Sequence, residues 1–181
     1  PGNDAVSRAT AALRRAYRDR LTAIVADDLT SADPIEHVPT VCRRMTELAD
    51  AALDAALLVA RAAVGPRADD VALAVIAMGK TGARELNYIS DVDVVYVVGP
   101  THEACGAQEP ISEERLVEVG THVATELAHV VSATAPEPPL WPLDTALRPE
   151  GKDGALVRTL DSHLAYYRRW AASWEFQALL K

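Results

Sequence analysis

The sequence predicts an α+β fold, in which a small mixed sheet with flanking helices follows an N-terminal helical segment. Three observations lead to this prediction. Apolar residues recur at helical spacing through most of the first 64 residues, two short runs rich in β-branched residues follow at 71–78 and 92–98, and helical spacing returns at 111–133. The chain has 181 residues, of which 49% are hydrophobic, and this is enough for one domain with a substantial core.

Two helices are predicted at the N-terminus. Asn3 or Asp4 can cap the first helix, which ends near Asp28. Pro34 suits the first turn of the second helix, because a proline there lacks only an amide proton that the helix would leave unbonded. The second helix runs to about Val64, where a Gly-Pro pair stops it.

The sheet is predicted from four short segments. The two β-branched runs indicate buried strands, and the stretch between them has room for one or two helical turns. A third apolar segment carries Asp144 near its centre, and a short fourth segment follows a polar turn. The four candidate strands are residues 71–78, 92–98, 140–148 and 155–159.

Further helices flank these strands. The segment 111–133 has its apolar residues on one face and follows a predicted loop at 99–110. Helical spacing begins again at residue 162. Four large side chains of this last segment are predicted to pack against the rest of the protein: Tyr166, Trp170, Trp174 and Leu179.

Two aspartates at the start of the second β-branched run are the strongest sign of chemistry. Asp91 and Asp93 are two residues apart, so in a strand their side chains point to the same face. Each carboxylate makes ionisation of the other more costly, and a divalent cation between them relieves that cost. Asp91 alone could simply begin the strand after Ser90, but this does not explain a second carboxylate inside an apolar run.

Asp144 adds a third acidic residue to the prediction. Three carboxylates on adjacent strands suit two Mg²⁺ ions about 3.5–4 Å apart, the arrangement used for in-line phosphoryl or nucleotidyl transfer. One alternative stays open, because Arg148 lies four residues after Asp144 and could simply neutralise it.

A glycine turn with a lysine precedes the aspartate pair. Gly79-Lys80-Thr81 resembles the end of a P-loop, but that motif requires a glycine at position 74, which is alanine. The dinucleotide-binding fingerprint also fails, because its third glycine is missing. A turn remains in which backbone amides can approach an anion, and an ordinary strand-to-helix turn is the alternative. The candidate phosphate contacts are Gly79, Lys80, Ser90 and Arg148.

Composition excludes some classes of function. The net charge of −8 and the pI near 5.1 argue against a general nucleic-acid binder, which needs a basic face. No stretch approaches the roughly 18 continuous apolar residues of a membrane span, and no signal peptide begins the chain. Cys42 and Cys105 are expected to be reduced thiols, so a cytoplasmic location is predicted. The chain ends at Lys181 inside an apparent helix, from which we expect a fragment of a longer protein.

Three sequence blocks resemble a known family. Residues 79–93, GKTGARELNYISDVD, resemble the signature of the glutamine synthetase adenylyltransferase family; residues 143–151, LDTALRPEG, resemble its second block, and residues 173–179, SWEFQAL, resemble the helical block that follows. The family has the polymerase-β-like nucleotidyltransferase fold. The resemblance therefore implies three parts: an N-terminal helical segment at 1–66, a nucleotidyltransferase catalytic domain at 67–160, and the start of a C-terminal helical segment at 161–181.

The resemblance also implies an activity. Family members are large bifunctional proteins in which one half attaches AMP to a tyrosine of glutamine synthetase and the other half removes it by phosphorolysis, giving ADP. Glu85-Leu86-Asn87 resembles the removing, N-terminal half, where the attaching half more often has Glu-Leu-Gly. Deadenylylation of glutamine synthetase is therefore the first expectation. The attaching reaction and a non-catalytic nucleotide-sensing or docking domain are the alternatives.

Cofactor and partners follow from the same resemblance. Asp91, Asp93 and Asp144 are expected to hold Mg²⁺, with two ions at the site, and to be the catalytic residues. The expected partners are glutamine synthetase, ADP or ATP, and phosphate. A PII signal protein is expected to act through the full-length enzyme.

Overall fold

The computed structural model describes residues 2–105 and 110–180, and within these ranges it has helices and a small mixed sheet of four strands. This confirms the α+β prediction. Residues 106–109 of the predicted loop lie outside the described residues. The helices of the described ranges are α1 (Asn3–Leu29), α2 (Pro34–Val64), α3 (Gly79–Gly82), α4 (His102–Cys105), α5 (Glu113–Ser132), α6 (Leu160–Arg169) and α7 (Ser173–Ala178).

The N-terminal helices begin and end close to the predicted residues. The prediction that Asn3 or Asp4 caps α1 was wrong. The helix already begins at Asn3, and its N-cap residue is Gly2, which has no side chain that could cap it. Helix α2 begins at Pro34 as predicted. Asp33 is its N-cap, and the Asp33 carboxylate accepts a 3.1 Å hydrogen bond from the backbone N–H of Glu36. It ends at Val64, and a 3₁₀ turn at Gly65–Ala68 follows it. No helix in the described ranges is long and apolar enough to cross a bilayer.

Strand β2 is the central strand of the sheet. It pairs antiparallel with β1 along one edge, and parallel with both β3 and β4 along the other edge. The sheet is therefore mixed, as predicted. The strand bounds are β1 (Val71–Ala77), β2 (Val92–Pro100), β3 (Leu143–Asp144) and β4 (Val157–Thr159).

One apolar core joins the helices to the sheet. Side chains of α1, α2 and α5 pack with alternate residues of β2 in a single buried cluster. Val92 and Val94 are completely buried in this cluster, so Asp93 between them points to the opposite face of the sheet. Helix α5 approaches the sheet closely at Gly120, where a methyl group would lie 2.8 Å from Val98.

Three predictions about the C-terminal part were wrong. The third strand is only Leu143–Asp144, because Pro142 has no N–H for a ladder and the Asp144 carboxylate accepts a bond from the backbone of Ala146, which turns the chain. Helix α6 begins at Leu160, two residues early, since the Thr159 hydroxyl caps it. Three of the predicted packing residues are instead half or more exposed: Trp170, Trp174 and Leu179.

The predicted reduced thiols are described only in part. Cys42 is a free, partly buried thiol in α2. The side chain of Cys105 lies outside the described part of the chain.

Candidate functional site

Three aspartates meet where β2 begins. Asp91 directly precedes β2, Asp93 is its second residue, and the parallel register places Asp144 of β3 opposite Asp93. One carboxylate oxygen from each residue lies within 4.8 Å of the other two. The structure thus brings together the three residues that the sequence singled out, and we call them the aspartate cluster.

The electrostatics of the aspartate cluster favour a bound cation. Burial raises the pKa of Asp93 above its ordinary value, the carboxylates of Asp91 and Asp144 raise it further, and the ammonium of Lys80 opposes the rise. A divalent cation would relieve both the repulsion and the desolvation. Carboxylate oxygens are the ligands that Mg²⁺ prefers, and exposed Asp91 leaves the cluster open to solvent, so the residues present fit this ion.

The glycine turn lies against the aspartate cluster. Strand β1 ends at Ala77, and the N–H of Met78 donates a 2.9 Å hydrogen bond to the backbone oxygen of Asp93. Gly79 follows with φ of +54°, a conformation that favours glycine, and it starts the short helix α3. The turn that was predicted to approach an anion is therefore next to the carboxylates.

Lys80 and Ser90 are in direct contact. The Lys80 ammonium donates a 3.1 Å hydrogen bond to the hydroxyl of Ser90, which is nine-tenths buried and adjacent to Asp91. Lys80 also acts electrostatically on Asp93, so its positive charge lies near that carboxylate of the aspartate cluster. Three of the predicted phosphate contacts therefore lie beside the aspartate cluster: Gly79 and Lys80 are near Asp93, and Ser90 is adjacent to Asp91.

Arg148 is held in the loop that follows β3. Its guanidinium donates four hydrogen bonds of 2.8–3.1 Å, two to Thr145, one to the backbone oxygen of Lys152 and one to that of Gly154. Within the described residues it forms no ion pair with Asp144, so the alternative in which it neutralises that residue is not observed. A contact between Arg148 and phosphate stays a prediction.

Sequence reasoning missed the contacts that hold the loop before Asp91 against the N-terminal helices. Arg84 forms an ion pair with Asp50 of α2, although φ of +63° places Arg84 in the left-handed region. The N–H of buried Leu86 donates a 3.3 Å hydrogen bond to the hydroxyl of Thr46. These partners are 34 and 40 residues apart, and the only local signal was a charged residue in a turn.

Comparisons with known proteins give a consistent result. The family model described as glutamate-ammonia ligase adenylyltransferase matches residues 2–181. Three curated relatives, each described as a bifunctional glutamine synthetase adenylyltransferase/adenylyl-removing enzyme, are similar along almost all of this chain. The relative from Bifidobacterium longum (strain DJO10A) is 48% identical over 97% of this chain and 16% of its own length. That from Nocardia farcinica is 50% identical over 96% and 16%, and that from Leifsonia xyli subsp. xyli is 48% identical over 98% and 18%. The chain therefore spans less than a fifth of the length of these relatives.

Proposed function

Because this chain belongs to the glutamate-ammonia ligase adenylyltransferase family, a family of nucleotidyltransferases, we propose that it removes AMP from the adenylylated tyrosine of glutamine synthetase by phosphorolysis, giving ADP. The aspartate cluster beside the glycine turn is the observation that carries this proposal. Three converging carboxylates and one lysine are the groups that phosphoryl chemistry needs, and a purely structural domain has no use for them.

Asp91, Asp93 and Asp144 are the residues that would hold Mg²⁺, with two ions at the site. Bound there, the metal would neutralise charge on the phosphoryl oxygens as it develops. The mixed sheet supplies the rigidity that such a site requires, because the register of β2 with β3 holds Asp93 opposite Asp144. The buried Val92 and Val94 anchor the strand from its other face.

The polar groups around the aspartate cluster would bind and orient the phosphate. Lys80 offers an ammonium, Ser90 a hydroxyl, and the turn at Gly79 backbone amides. In the proposed reaction an oxygen of inorganic phosphate forms a bond to the phosphorus of the AMP group, and the bond from that phosphorus to the tyrosine oxygen breaks. The products are ADP and the free tyrosine side chain.

This reaction places little demand on a side-chain base or acid. Inorganic phosphate is already anionic at neutral pH, and the leaving phenol has a pKa of about 10. Orientation and charge neutralisation therefore account for most of the catalysis. The proposal needs no histidine or cysteine near the aspartate cluster.

The Asp93→Asn variant of the full-length protein tests both the activity and its direction. We expect this variant to lose phosphate-dependent release of ADP from adenylylated glutamine synthetase, by a factor of about 10³ or more, because removing a charged metal ligand affects the transition state directly. The variant should still transfer AMP from ATP to unmodified glutamine synthetase, if a separate half of the longer protein performs that reaction. Asp19→Asn, at an exposed site on α1, is the matched control and should keep both activities.

The other outcomes select the alternatives. Loss of AMP attachment with normal ADP release would assign this chain to the attaching half. Retention of both activities by a folded Asp93→Asn protein would contradict a catalytic role and favour a nucleotide-sensing or docking domain.

A further inference from the structure

Asp144 belongs to the shortest strand of the sheet. Strand β3 consists of Leu143–Asp144 alone, so the chain leaves the sheet directly after the carboxylate residue. Asp93, in contrast, is the second residue of a strand of nine residues. A metal ligand has to stay within about 0.5 Å of its position, so a short ladder needs further bonds to hold the Asp144 side chain.

A backbone N–H of the following loop holds this carboxylate. The Oδ1 atom of Asp144 accepts a 2.6 Å hydrogen bond from the N–H of Ala146. This N–H belongs to the peptide plane that joins Thr145 to Ala146, and the other end of the same plane is the backbone oxygen of Thr145. Because a peptide plane is rigid, a group that fixes this oxygen also aims the N–H at Asp144.

Arg148 fixes the backbone oxygen of Thr145. Its Nη1 atom donates a 2.8 Å hydrogen bond to this oxygen, and its backbone N–H donates one of 3.3 Å to the same atom. Nη1 also donates a 2.9 Å bond to the hydroxyl of Thr145. A cation at the oxygen end polarises the peptide group, which strengthens the bond that its N–H donates to Asp144.

The same loop uses almost the whole guanidinium of Arg148. An arginine has five N–H donors, and four of those of Arg148 are bonded within residues 145–154. A bidentate contact with phosphate requires two parallel N–H groups, and only one is left. Glu150 of this loop has φ of +65°, a costly conformation that persists only where surrounding bonds enforce it.

We propose that Arg148 is a positioning residue, which acts on Asp144 through the peptide plane between Thr145 and Ala146 rather than through a contact with phosphate. The proposal rests on the proposed function, in which Asp144 is a metal ligand. The N–H of Ala146 bonds to Oδ1, so Oδ2 of the same carboxylate can bind the cation. Residues that orient a metal ligand from behind typically account for about 10- to 100-fold in metal affinity.

Arg148→Lys in the full-length protein tests this role, because it keeps the positive charge and loses the geometry of the guanidinium. We expect the affinity for Mn²⁺, used as a paramagnetic probe, to fall about tenfold at the sites that Asp93→Asn removes. The rate kcat should fall by a similar factor, while the KM for phosphate stays within a factor of about two. In the Asp144→Asn background, Arg148→Lys should cause no further loss, because the arginine acts only through that carboxylate.

Hydrogen exchange tests the same coupling without a change at Arg148. A cation that is held better when the loop is ordered must itself order the loop, because the coupling is reciprocal. In mass spectrometry of the full-length protein, Mg²⁺ should therefore slow exchange in peptides that cover residues 145–154, and Asp144→Asn should abolish this effect. Arg168→Lys, at an exposed position of α6, is the matched control and should keep the Mn²⁺ affinity and kcat of the wild type.

Three results would overturn the role of Arg148. They are a selective rise in the KM for phosphate with unchanged Mn²⁺ affinity, an equal loss from Arg148→Lys with and without Asp144→Asn, and exchange at 145–154 that does not respond to Mg²⁺. Each leaves intact the Mn²⁺ sites that depend on Asp93. If Asp93→Asn instead removes no Mn²⁺ site, the metal role in the proposed function fails together with this proposal. The metal titrations read the same whether the chain attaches AMP or removes it.

Discussion

Gly79 and Asp93 are packed so closely that a methyl group on Gly79 would overlap the Oδ2 atom of Asp93 and lie 3.2 Å from its Cγ atom. Gly79 also has φ of +54°, where a side chain is strained whatever space it has. The glycine thus does two things at once: it turns the chain out of β1 and leaves room for a carboxylate of the aspartate cluster. No other residue type satisfies both conditions.

Substitution of Gly79 by alanine should therefore damage the site more than the fold. We expect a loss of about 1–3 kcal/mol in the free energy of unfolding from the left-handed conformation and the displaced Asp93, and at least a tenfold loss of activity. Urea unfolding and ADP release measure the two effects. Gly99→Ala is the control, because Gly99 has no neighbour within 4 Å of an added methyl group and an ordinary φ. Equal activity of the two variants would contradict this explanation of Gly79.

Removal of the Lys80 charge should weaken the binding of phosphate. The Lys80 ammonium is the cation beside Asp93, and Ser90 holds it there by a 3.1 Å hydrogen bond. In Lys80→Gln we expect the KM for phosphate to rise about tenfold, since a charge-assisted contact is replaced by a neutral one. The KM for adenylylated glutamine synthetase should stay within a factor of about two. Lys152→Gln, at an exposed position, provides the comparison, and an equal change in both variants would argue against a specific contact.

The end of α5 depends on a buried arginine of α1. Arg14 is completely buried, and its guanidinium donates hydrogen bonds of 2.7–3.1 Å to four backbone oxygens, at His129, Val130, Ala133 and Glu137. These carbonyls include ones that the helix end leaves unbonded, so Arg14 serves as the C-terminal cap of α5 and orders the chain that leads to β3.

Replacing this arginine by methionine keeps most of the apolar stem but leaves buried carbonyls unpaired. We expect Arg14→Met to lower the free energy of unfolding by about 3 kcal/mol, which chemical denaturation measures. Arg20→Met on the exposed side of the same helix should change it by less than about 0.5 kcal/mol. Similar stabilities for the two variants would show that solvent replaces the cap.

Long periodic segments and the aspartate pair were predictable, whereas the contacts between distant segments were not. The end of α2 at Val64 and the start of β2 at Val92 follow from local spacing and from glycine and proline signals. The predicted length of the third strand was wrong because the carboxylate of Asp144 accepts a hydrogen bond from the N–H of Ala146. This local bond competes with the hydrogen bonds of a sheet, and the apolar run in the sequence does not reveal it. The bond from Tyr88 to Asp28 joins residues 60 apart, and no pattern in either segment indicates the other.

A buried histidine should make the stability depend on pH. His163 is 7% exposed, and burial lowers its pKa below 6.5, although its ring nitrogen lies 3.3 Å from the backbone oxygen of Tyr96. Above pH 6.5 neither the folded nor the unfolded chain binds this proton, so the unfolding free energy carries no penalty from His163. As the pH falls below 6.5 the unfolded chain takes up the proton first, and the stability declines until the folded pKa is reached.

Replacement of His163 by glutamine should therefore flatten the dependence of the unfolding free energy on pH below about 6.5, whatever its effect on the absolute stability. His122→Gln is the control, because His122 is exposed on α5. Urea unfolding at a series of pH values gives both slopes. An unaltered slope in the His163 variant would assign the pH dependence to other groups.

Strand β1 is an edge strand, and its register with β2 determines which amides are protected. The N–H of Met78 bonds to the oxygen of Asp93, and the N–H of Thr101 bonds to that of Asp70, so the even-numbered residues of β1 direct their N–H groups toward β2. The N–H groups of Leu73, Val75 and Ala77 therefore point away from β2, where the described part of the chain supplies no further strand.

Hydrogen exchange should follow this alternation. We expect the amides of Ala74 and Ile76 to exchange at least about tenfold more slowly than those of Leu73 and Val75, because only the first pair donates to a ladder bond. Residue-resolved NMR of this chain measures the four rates, with the central β2 amides as the fully protected reference. Slow exchange at all four positions would mean that another segment pairs with β1, since an apolar edge of this kind is the surface to which a further strand adds.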